Sequence, residues 1–357
     1  MAIVTLHLST VKAYTENRPS GCPHCGSGLL QRWGGATKPV RDTQIRTAMI
    51  YRYRCVACRR TFRHYPEGLS RADQSLRLLQ LAAIGWTLGL SLRGMSAILS
   101  AFGVTLAHMT VWRDAQAIAK SVKPDLSRRK VRVLGVDGFY TRLKGKPQGT
   151  LLAVDLGSGQ TLALAQIEES DTQAVAEWLQ PLVDQLGVEV IVTDDLASLG
   201  VAVEQVNCKR QICRFHALRW IGRTIKELRS QLDEDWQESL DEVQRTVHDM
   251  PPDGQRLLYM RRIAPQRSSL RWQRIGERRG PRNRQSTALY KLRQLALRLS
   301  EHWDEYTLFQ SDPVVPATNN GTEQAILPWR LRSRTTRGFK SWTGLEAAFL
   351  LCGSALA

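Results

Sequence analysis

The chain is 357 residues long with 43% hydrophobic residues, enough for two or three compact domains with cores of their own. Fifty Lys and Arg against 33 Asp and Glu give a formal charge of +17, which points to a polyanion as partner. A basic-then-apolar leader and an apolar run of about 18 residues are both missing, which argues against secretion or a membrane span and leads us to expect a soluble, cytoplasmic, nucleoid-associated protein. The charge is unevenly spread: residues 1–130 carry 20 basic and 6 acidic residues, 131–221 carry 8 and 11, and 222–357 carry 22 and 16. An acidic middle between basic ends suits carboxylates gathered around cations, with basic segments gripping phosphate. Proteins that merely coat nucleic acid are equally basic, so charge alone does not select an enzyme.

Seven cysteines and no export signal point to a reducing compartment, where clustered thiols serve metals rather than disulfides. Cys22-Pro-His-Cys25 and Cys55-Val-Ala-Cys58 are two C-x-x-C knuckles with 29 residues between them. Two intervening residues let each pair chelate one ion while its loop turns back, and Gly26 relieves the turn after the first. Cys22, Cys25, Cys55 and Cys58 are therefore expected to close a structural Zn2+ site, with His24 and His64 as substitute ligands. A redox pair is the alternative, but it lacks its βαβ context. TAMIYRYRC alternates like a strand, and residues 1–68 are expected to form a zinc ribbon.

Residues 69–127 hold three helical segments, RADQSLRLLQLAAIGW, SLRGMSAILSAFG and LAHMTVWRDAQAIAKS, broken at Gly89 and at Gly103-Val104-Thr105. Ser91 can cap the second and Thr105 stands ahead of the third. This is the layout of a helix-turn-helix, with Thr110, Trp112 and Arg113 near the start of the helix that would enter a DNA groove. The pattern also fits a plain three-helix packing unit with Trp112 in its core.

From residue 131 the texture becomes β-rich: VRVLGVDGFYTRL, GTLLAVDLGSG and TLALAQIE, then the helical TQAVAEWLQPLVDQLG and the strand VEVIVTDD. Three strands, a helix and a parallel strand open an RNase H-like fold, so the expected class is α/β, with residues 128–357 as the catalytic domain. Asp137 would lie on its first strand and Asp194 at the end of the fourth, where neighbouring strands let two carboxylates converge on one pair of cations. Either Asp alone is more commonly a strand-end turn or a helix cap, and it is both together in this order that shift the balance. Asp155 reads as a strand-end turn. An all-α insertion is expected at about 217–305, and ten Arg against one Glu fall between Arg256 and Arg284. That run suits a phosphate-gripping surface or arm, or a solvated face. In TNNGTEQAILPWRLRSR, Thr318 or Asn319 can cap a helix that carries Glu323 in its first turns.

Asp137, Thr193-Asp194, Cys213-x-x-His216 and Asn320-Gly-Thr-Glu323, followed by Arg330, Arg332, Arg334 and Arg337, occur in an order that resembles the DDE transposases of bacterial insertion sequences, specifically those related to eukaryotic Mutator-like elements. The N-terminal half is similar to theirs too. The resemblance implies a DNA transposase that binds terminal inverted repeats and carries out two-metal-ion cleavage and strand transfer at Asp137, Asp194 and Glu323, with Mg2+ or Mn2+. Asp194 is preferred to its neighbour Asp195 on the match to the TD string. Double-stranded DNA, as transposon ends and target, is the implied partner, and the implied assembly is a homo-oligomer on DNA with no membrane role. Arg330, Arg334 and Arg337 join Thr110, Trp112 and Arg113 as expected DNA contacts, and Trp342 reads as a base-stacking or a core residue. Cys213 and His216 read either as an element that orders the loop near the site or touches DNA, or as a buried structural pair; zinc is not expected there with only Cys208 nearby as a third ligand. Two other functions fit the same residues: a catalytically inactive zinc-ribbon and helix-turn-helix regulator, and an RNase H-like DNA nuclease without strand transfer.

Overall fold

A computed structural model describes residues 7–123, 125–261, 284–335 and 338–353 of a mixed α/β chain. Two compact units emerge: Met1–Pro124 with Tyr140–Gln148 and Gln324–Ala357, and Asp125–Phe139 with Gly149–Glu323. Residues 140–148 and 324–357, which sequence order groups with 128–357, thus cluster with the N-terminal residues.

The first unit opens with an antiparallel sheet of β1 (Leu30–Pro39), β2 (Thr47–Cys55) and β3 (Thr61–His64), in that order. In TAMIYRYRC, Ala48 and Ile50 are buried on one face of β2 and Tyr53 and Cys55, of the opposite parity, on the other. Their cluster is small, Val40, Ala48 and Ile50 with Ile45, Tyr65 and Leu69 around them, too little apolar surface to hold a sheet without a staple. Helices α1 (Leu76–Thr87), α2 (Leu92–Ala101) and α3 (His108–Ser121) follow. The first helix begins five residues later than its apolar spacing suggests because the Ser75 side chain accepts the Leu78 amide and caps it there. Ser91 caps α2 as expected, whereas α3 starts after Ala107 with no side-chain cap and leaves Thr105 outside. Leu78, Ala82, Met95, Leu99, Val104, Leu106 and Val111 form the core of these helices. The last helix of the chain, α12 (Trp342–Gly353), also packs on α1 and α3.

A buried carboxylate fixes the β1–β2 loop to the start of α1. Asp42, fully buried, accepts from Arg77 Nη2 at 2.5 Å, Arg77 Nε at 3.1 Å, Ser75 Oγ at 2.5 Å and the amides of Gln44 and Ile45. Burial alone would raise its pKa, but Arg77, Ser75 and the two amides together hold it down at about 2. Arg77→Leu strands this charge and is expected to cost about 3–5 kcal/mol in urea unfolding. Since folding lowers Asp42 from 3.8 to about 2, its contribution is complete above the upper value and is lost as pH falls through that window. Acid unfolding of the wild type should steepen there, and the steepening should vanish in Asp42→Asn.

The second unit is built on a five-stranded sheet, β4 (Val133–Leu143), β5 (Lys146–Asp155), β6 (Gln160–Ala165), β7 (Val190–Thr193) and β8 (Lys209–Ile212), ordered β6-β5-β4-β7-β8. β5 and β6 pair antiparallel, while β4 with β7 and β7 with β8 pair parallel. Val133 to Val136 and Val190 to Thr193 are buried without alternation, as strands covered on both faces must be. Helices α4 (Thr172–Leu186) and α5 (Ala197–Gln205) supply Val175, Leu179, Leu186, Leu199 and Val203 to the core with Leu134, Val136, Leu151 and Ile191.

The helical insertion consists of α6 (Arg214–Arg229), α7 (Gln237–Asp249), α8 (Gly254–Arg261), α9 (Arg284–Glu301) and α10 (Trp303–Ser311), so it is wider than 217–305. Ile221, Ile225, Leu228, Leu240, Val243, Leu292 and Trp303 give it an apolar core. Most of the arginine-rich run, residues 262–283, lies outside the described residues. The chain then enters α11 (Asn320–Thr335). Among the described residues no helix is long and apolar enough to cross a membrane.

Candidate active site and thiol cluster

Strand register brings the first two carboxylates together. β4 and β7 pair Val133 with Val190, Leu134 with Ile191 and Gly135 with Val192; two residues further along the same parallel register, Asp137 stands beside Asp194. The third arrives on α11. Asn319, immediately before that helix, donates from Nδ2 to the Val136 carbonyl at 3.0 Å, and Thr322 Oγ1 donates to Asn319 Oδ1 at 2.5 Å. This tie holds the first turn, and Glu323 with it, against the strand that carries Asp137. Gly135 makes the approach possible, since a β-carbon there would collide with Thr322 Oγ1 and Asn319 Oδ1. Gly135→Ala is expected to cost about 1–3 kcal/mol of stability in denaturant unfolding, because two buried polar side chains must give way.

His216 links the acids. Its Nδ1 lies 2.8 Å from Asp194 Oδ2 and its Nε2 lies 2.7 Å from Glu323 Oε1, so one imidazole spans two carboxylates. Burial works against its charged form, but the hydrogen bond to Glu323 and the charges of Asp194, Glu323 and Asp137 outweigh it and raise its pKa. Asp137 is pushed up to about 7, first by burial and then by the charges of Asp194 and Glu169. Asp194 and Glu169 are raised as well, again chiefly by burial. Burial and mutual repulsion thus oppose the simultaneous ionisation of these crowded acids. Because Asp137 must lose its proton to ligate, metal affinity should fall about tenfold per pH unit below about 7, as a Mn2+ titration between about pH 8 and pH 6 would measure.

Asp194 and Asp195, adjacent in sequence, have different surroundings. Asp195 accepts from Tyr306 Oη at 2.6 Å and from Arg298 Nη2 at 2.6 Å, and its side chain is 3% exposed, whereas that of Asp194 is 26% exposed toward His216. Arg210 fixes the turn between them, donating to Thr193 Oγ1 at 2.9 Å, to the Asp194 carbonyl at 2.6 Å and to the Leu196 carbonyl at 2.9 Å. Asp155 sits apart at the end of β5, accepting from the Gly157 amide and Ser158 Oγ in a turn.

The N-terminal thiols form a separate centre. Cys22 and Cys58 sulfurs are 3.7 Å apart, those of Cys25 and Cys55 are 3.6 Å apart, and all four lie within 4.8 Å of one another. A tetrahedral zinc with Zn–S of about 2.3 Å requires S···S of about 3.8 Å, so the thiols fit that ion. In both knuckles the residue after the second Cys adopts a left-handed backbone, Gly26 at φ 76° and Arg59 at φ 58°. The Cys58 amide donates to Cys55 Sγ, which outweighs burial and lowers that thiol's pKa, while the neighbouring thiols outweigh the Ser27 amide and push Cys25 up.

The sequence profile of the transposase IS66 family matches residues 165–347, just over half of the chain. The chain belongs to this family. It is an insertion-sequence transposase, with DNA as its partner. The match contains Asp194, Cys213, His216 and Glu323 and begins after Asp137. A comparison with curated proteins finds no match.

The expected DNA contacts of the transposase are scattered. Arg113, Arg330 and Arg334 are exposed. Thr110 and Trp112 are half-buried, and the Trp112 ring meets Trp86 edge-on at 5.6 Å. Arg332 is buried 4.3 Å over Trp86, and Arg337 lies outside the described residues. Three residues at the acidic site escape a reading of the sequence. Glu169 lies against Gly138, where a β-carbon would strike its carboxylate, and the EESD string carrying it gives no periodic signal. Arg219 and Arg223 are exposed beside Asp194, Glu169 and His216 in a cleft of about 540 Å3. Their spacing from His216, three and seven residues along α6, puts all three on one helical face, a signal that was available.

Proposed function

We propose that this transposase cleaves DNA at the ends of its element and joins the freed 3′ ends to target DNA at Asp137, Asp194 and Glu323. The observation that carries the proposal is their convergence: three acids far apart in sequence, tied by strand register, by Asn319 and by His216, with Glu169 alongside. Oxygen donors of this kind suit Mg2+ or Mn2+. Such ions, when bound, would supply activation of the attacking water or 3′-hydroxyl and stabilisation of the leaving oxygen. Asp137 and Asp194 would hold them from adjacent strands, Glu323 would close the set, and Arg210 and Asn319 keep the strand end and the helix start from drifting. Arg219 and Arg223 would hold the phosphates that flank the scissile bond.

Three features support an RNase H-like core: the order β6-β5-β4-β7-β8, the antiparallel β5 and β6 beside the parallel β7 and β8, and an acid within β4 beside one just past the end of β7. The Ser91-capped α2 followed by α3 with Arg113 exposed supports a helix-turn-helix, and the zinc-ribbon reading of the first residues rests on the thiol cluster. Kinship to Mutator-like elements rests on the Cys213-x-x-His216 and Asn320-x-x-Glu323 strings, and action as a homo-oligomer rests on that resemblance alone.

Full-length protein, incubated with DNA carrying both ends of its element and with a target plasmid, should yield cleaved ends and joined products in Mg2+ and neither in EDTA. Cleavage without joining would favour a plain nuclease. Specific binding without cleavage in Mg2+ or Mn2+ would favour the regulator.

A further inference from the structure

Cys213 and His216 have no role in the two-ion chemistry above, yet they lie beside it. Cys213 caps α6 and His216 sits in its first turn, so the C-x-x-H spacing brings thiol and imidazole to one side of the helix start. One ligand atom from each, and one from Asp194, all lie within 4.8 Å of one another. Zinc is not expected from the sequence with only Cys208 nearby, and the Cys208 thiol donates elsewhere, to the Val188 carbonyl at 3.4 Å; Asp194 is the third ligand atom in reach.

We propose that Cys213, His216 and Asp194 form a second metal site, distinct in chemistry from the hard-ion site, that takes one Zn2+ or a similar borderline ion. Nδ1 of His216 faces Asp194 and is the nitrogen placed to ligate, while Nε2, 2.7 Å from Glu323 Oε1, donates its proton to that carboxylate. A metal-binding histidine oriented by a carboxylate behind it is the usual outer-shell arrangement of such sites. Cys213 is 1% exposed, and its sulfur accepts the Asn319 amide at 3.3 Å together with amides of the first turn of α6. Burial outweighs those donors and raises the free thiol, so ligation itself would have to draw the proton off to solvent. Sulfur, nitrogen and one oxygen, with a fourth position open to water, match zinc and not Mg2+. His216 Nδ1 and Asp194 Oδ2 are already 2.8 Å apart and all three ligand atoms lie within 4.8 Å of one another, so small side-chain rotations suffice to bring them onto one ion. Zinc there would occupy Asp194 and block the hard-ion site. This consequence rests on the proposed function; the binding itself does not.

The test uses full-length protein loaded with one equivalent of zinc, which the four-thiol cluster retains, titrated with Co2+. We expect a thiolate-to-cobalt charge-transfer band that saturates at one Co2+ per chain, disappears in Cys213→Ala and needs at least tenfold more Co2+ in His216→Gln. No band in the wild type overturns the site, as does a band that persists in Cys213→Ala. Should Cys213→Ala fail to fold, the titration of His216→Gln decides alone, and an unchanged midpoint overturns the proposal. In Mg2+-supported cleavage, zinc beyond the first equivalent should inhibit the wild type. If the wild type cleaves nothing, the functional reading fails while the cobalt band still stands for the site.

Discussion

Asp194→Asn will reduce single-turnover cleavage of element-end DNA by at least about 1,000-fold, a loss of about 4 kcal/mol of transition-state stabilisation, while end binding stays within about twofold. The amide keeps the shape of the carboxylate but not its charge, and a divalent ion that loses one anionic ligand among three is both weakly held and poorly placed. Asp137→Asn and Glu323→Gln should behave alike. Stability will move the other way. Burial and the neighbouring charges raise both Asp137 and Asp194 in the folded protein, so folding works against their ionised forms, and removing one charge relieves the crowding. An Asp194→Asn protein that melts at or above the wild-type temperature yet cuts nothing separates lost chemistry from lost fold. Asp195→Asn is the contrasting case: it weakens the contacts to Tyr306 and Arg298 and should lower stability by about 1–3 kcal/mol. A wild-type cleavage rate in any one of the three site variants would remove that carboxylate from the site.

Cys22→Ser will lower the zinc content by close to one per chain relative to the wild type and melt the first sheet. Structural zinc contributes on the order of 10–16 kcal/mol of apparent binding free energy, and here the sheet has little else, since its apolar cluster is so small. Far-UV circular dichroism should lose a strand component, and limited proteolysis should cut between residues 20 and 65. The Asp42 pair with Arg77 cannot compensate, because its geometry depends on the β1–β2 loop that the sheet holds. Metal analysis that finds no zinc in the wild type would contradict the cluster.

The thiol knuckles were fully legible in sequence, because chelation by C-x-x-C is a local property and needs only a turn to bring two such pairs together. The acids were half legible. Asp137 and Asp194 could be assigned to neighbouring strands from the succession of apolar runs, but the choice between Asp194 and Asp195 had to be made by resemblance. Only the fold separates them, by giving Asp195 to Tyr306 and Arg298, contributed by residues more than a hundred positions away. The role of Asn319 was hidden by Asn320, which completes the motif string yet is exposed, while Asn319 is buried and makes the contacts. His216 could be picked out as a motif but not given partners, because both of them come from other elements. Residues 324–357 show the limit of chain order: an apolar string such as LEAAFLL states that it will be buried, not that its neighbours will be α1 and α3.

The central claim is that Asp137, Asp194 and Glu323 together hold divalent cations. The direct measurement is Mn2+ binding to the full-length protein loaded with one equivalent of zinc, at about pH 8, followed by electron paramagnetic resonance of the free ion. The account predicts saturable binding by the wild type that weakens at least about tenfold in Asp137→Asn, in Asp194→Asn and in Glu323→Gln, each by itself. Mn2+ binding that is undiminished in all three variants would contradict it.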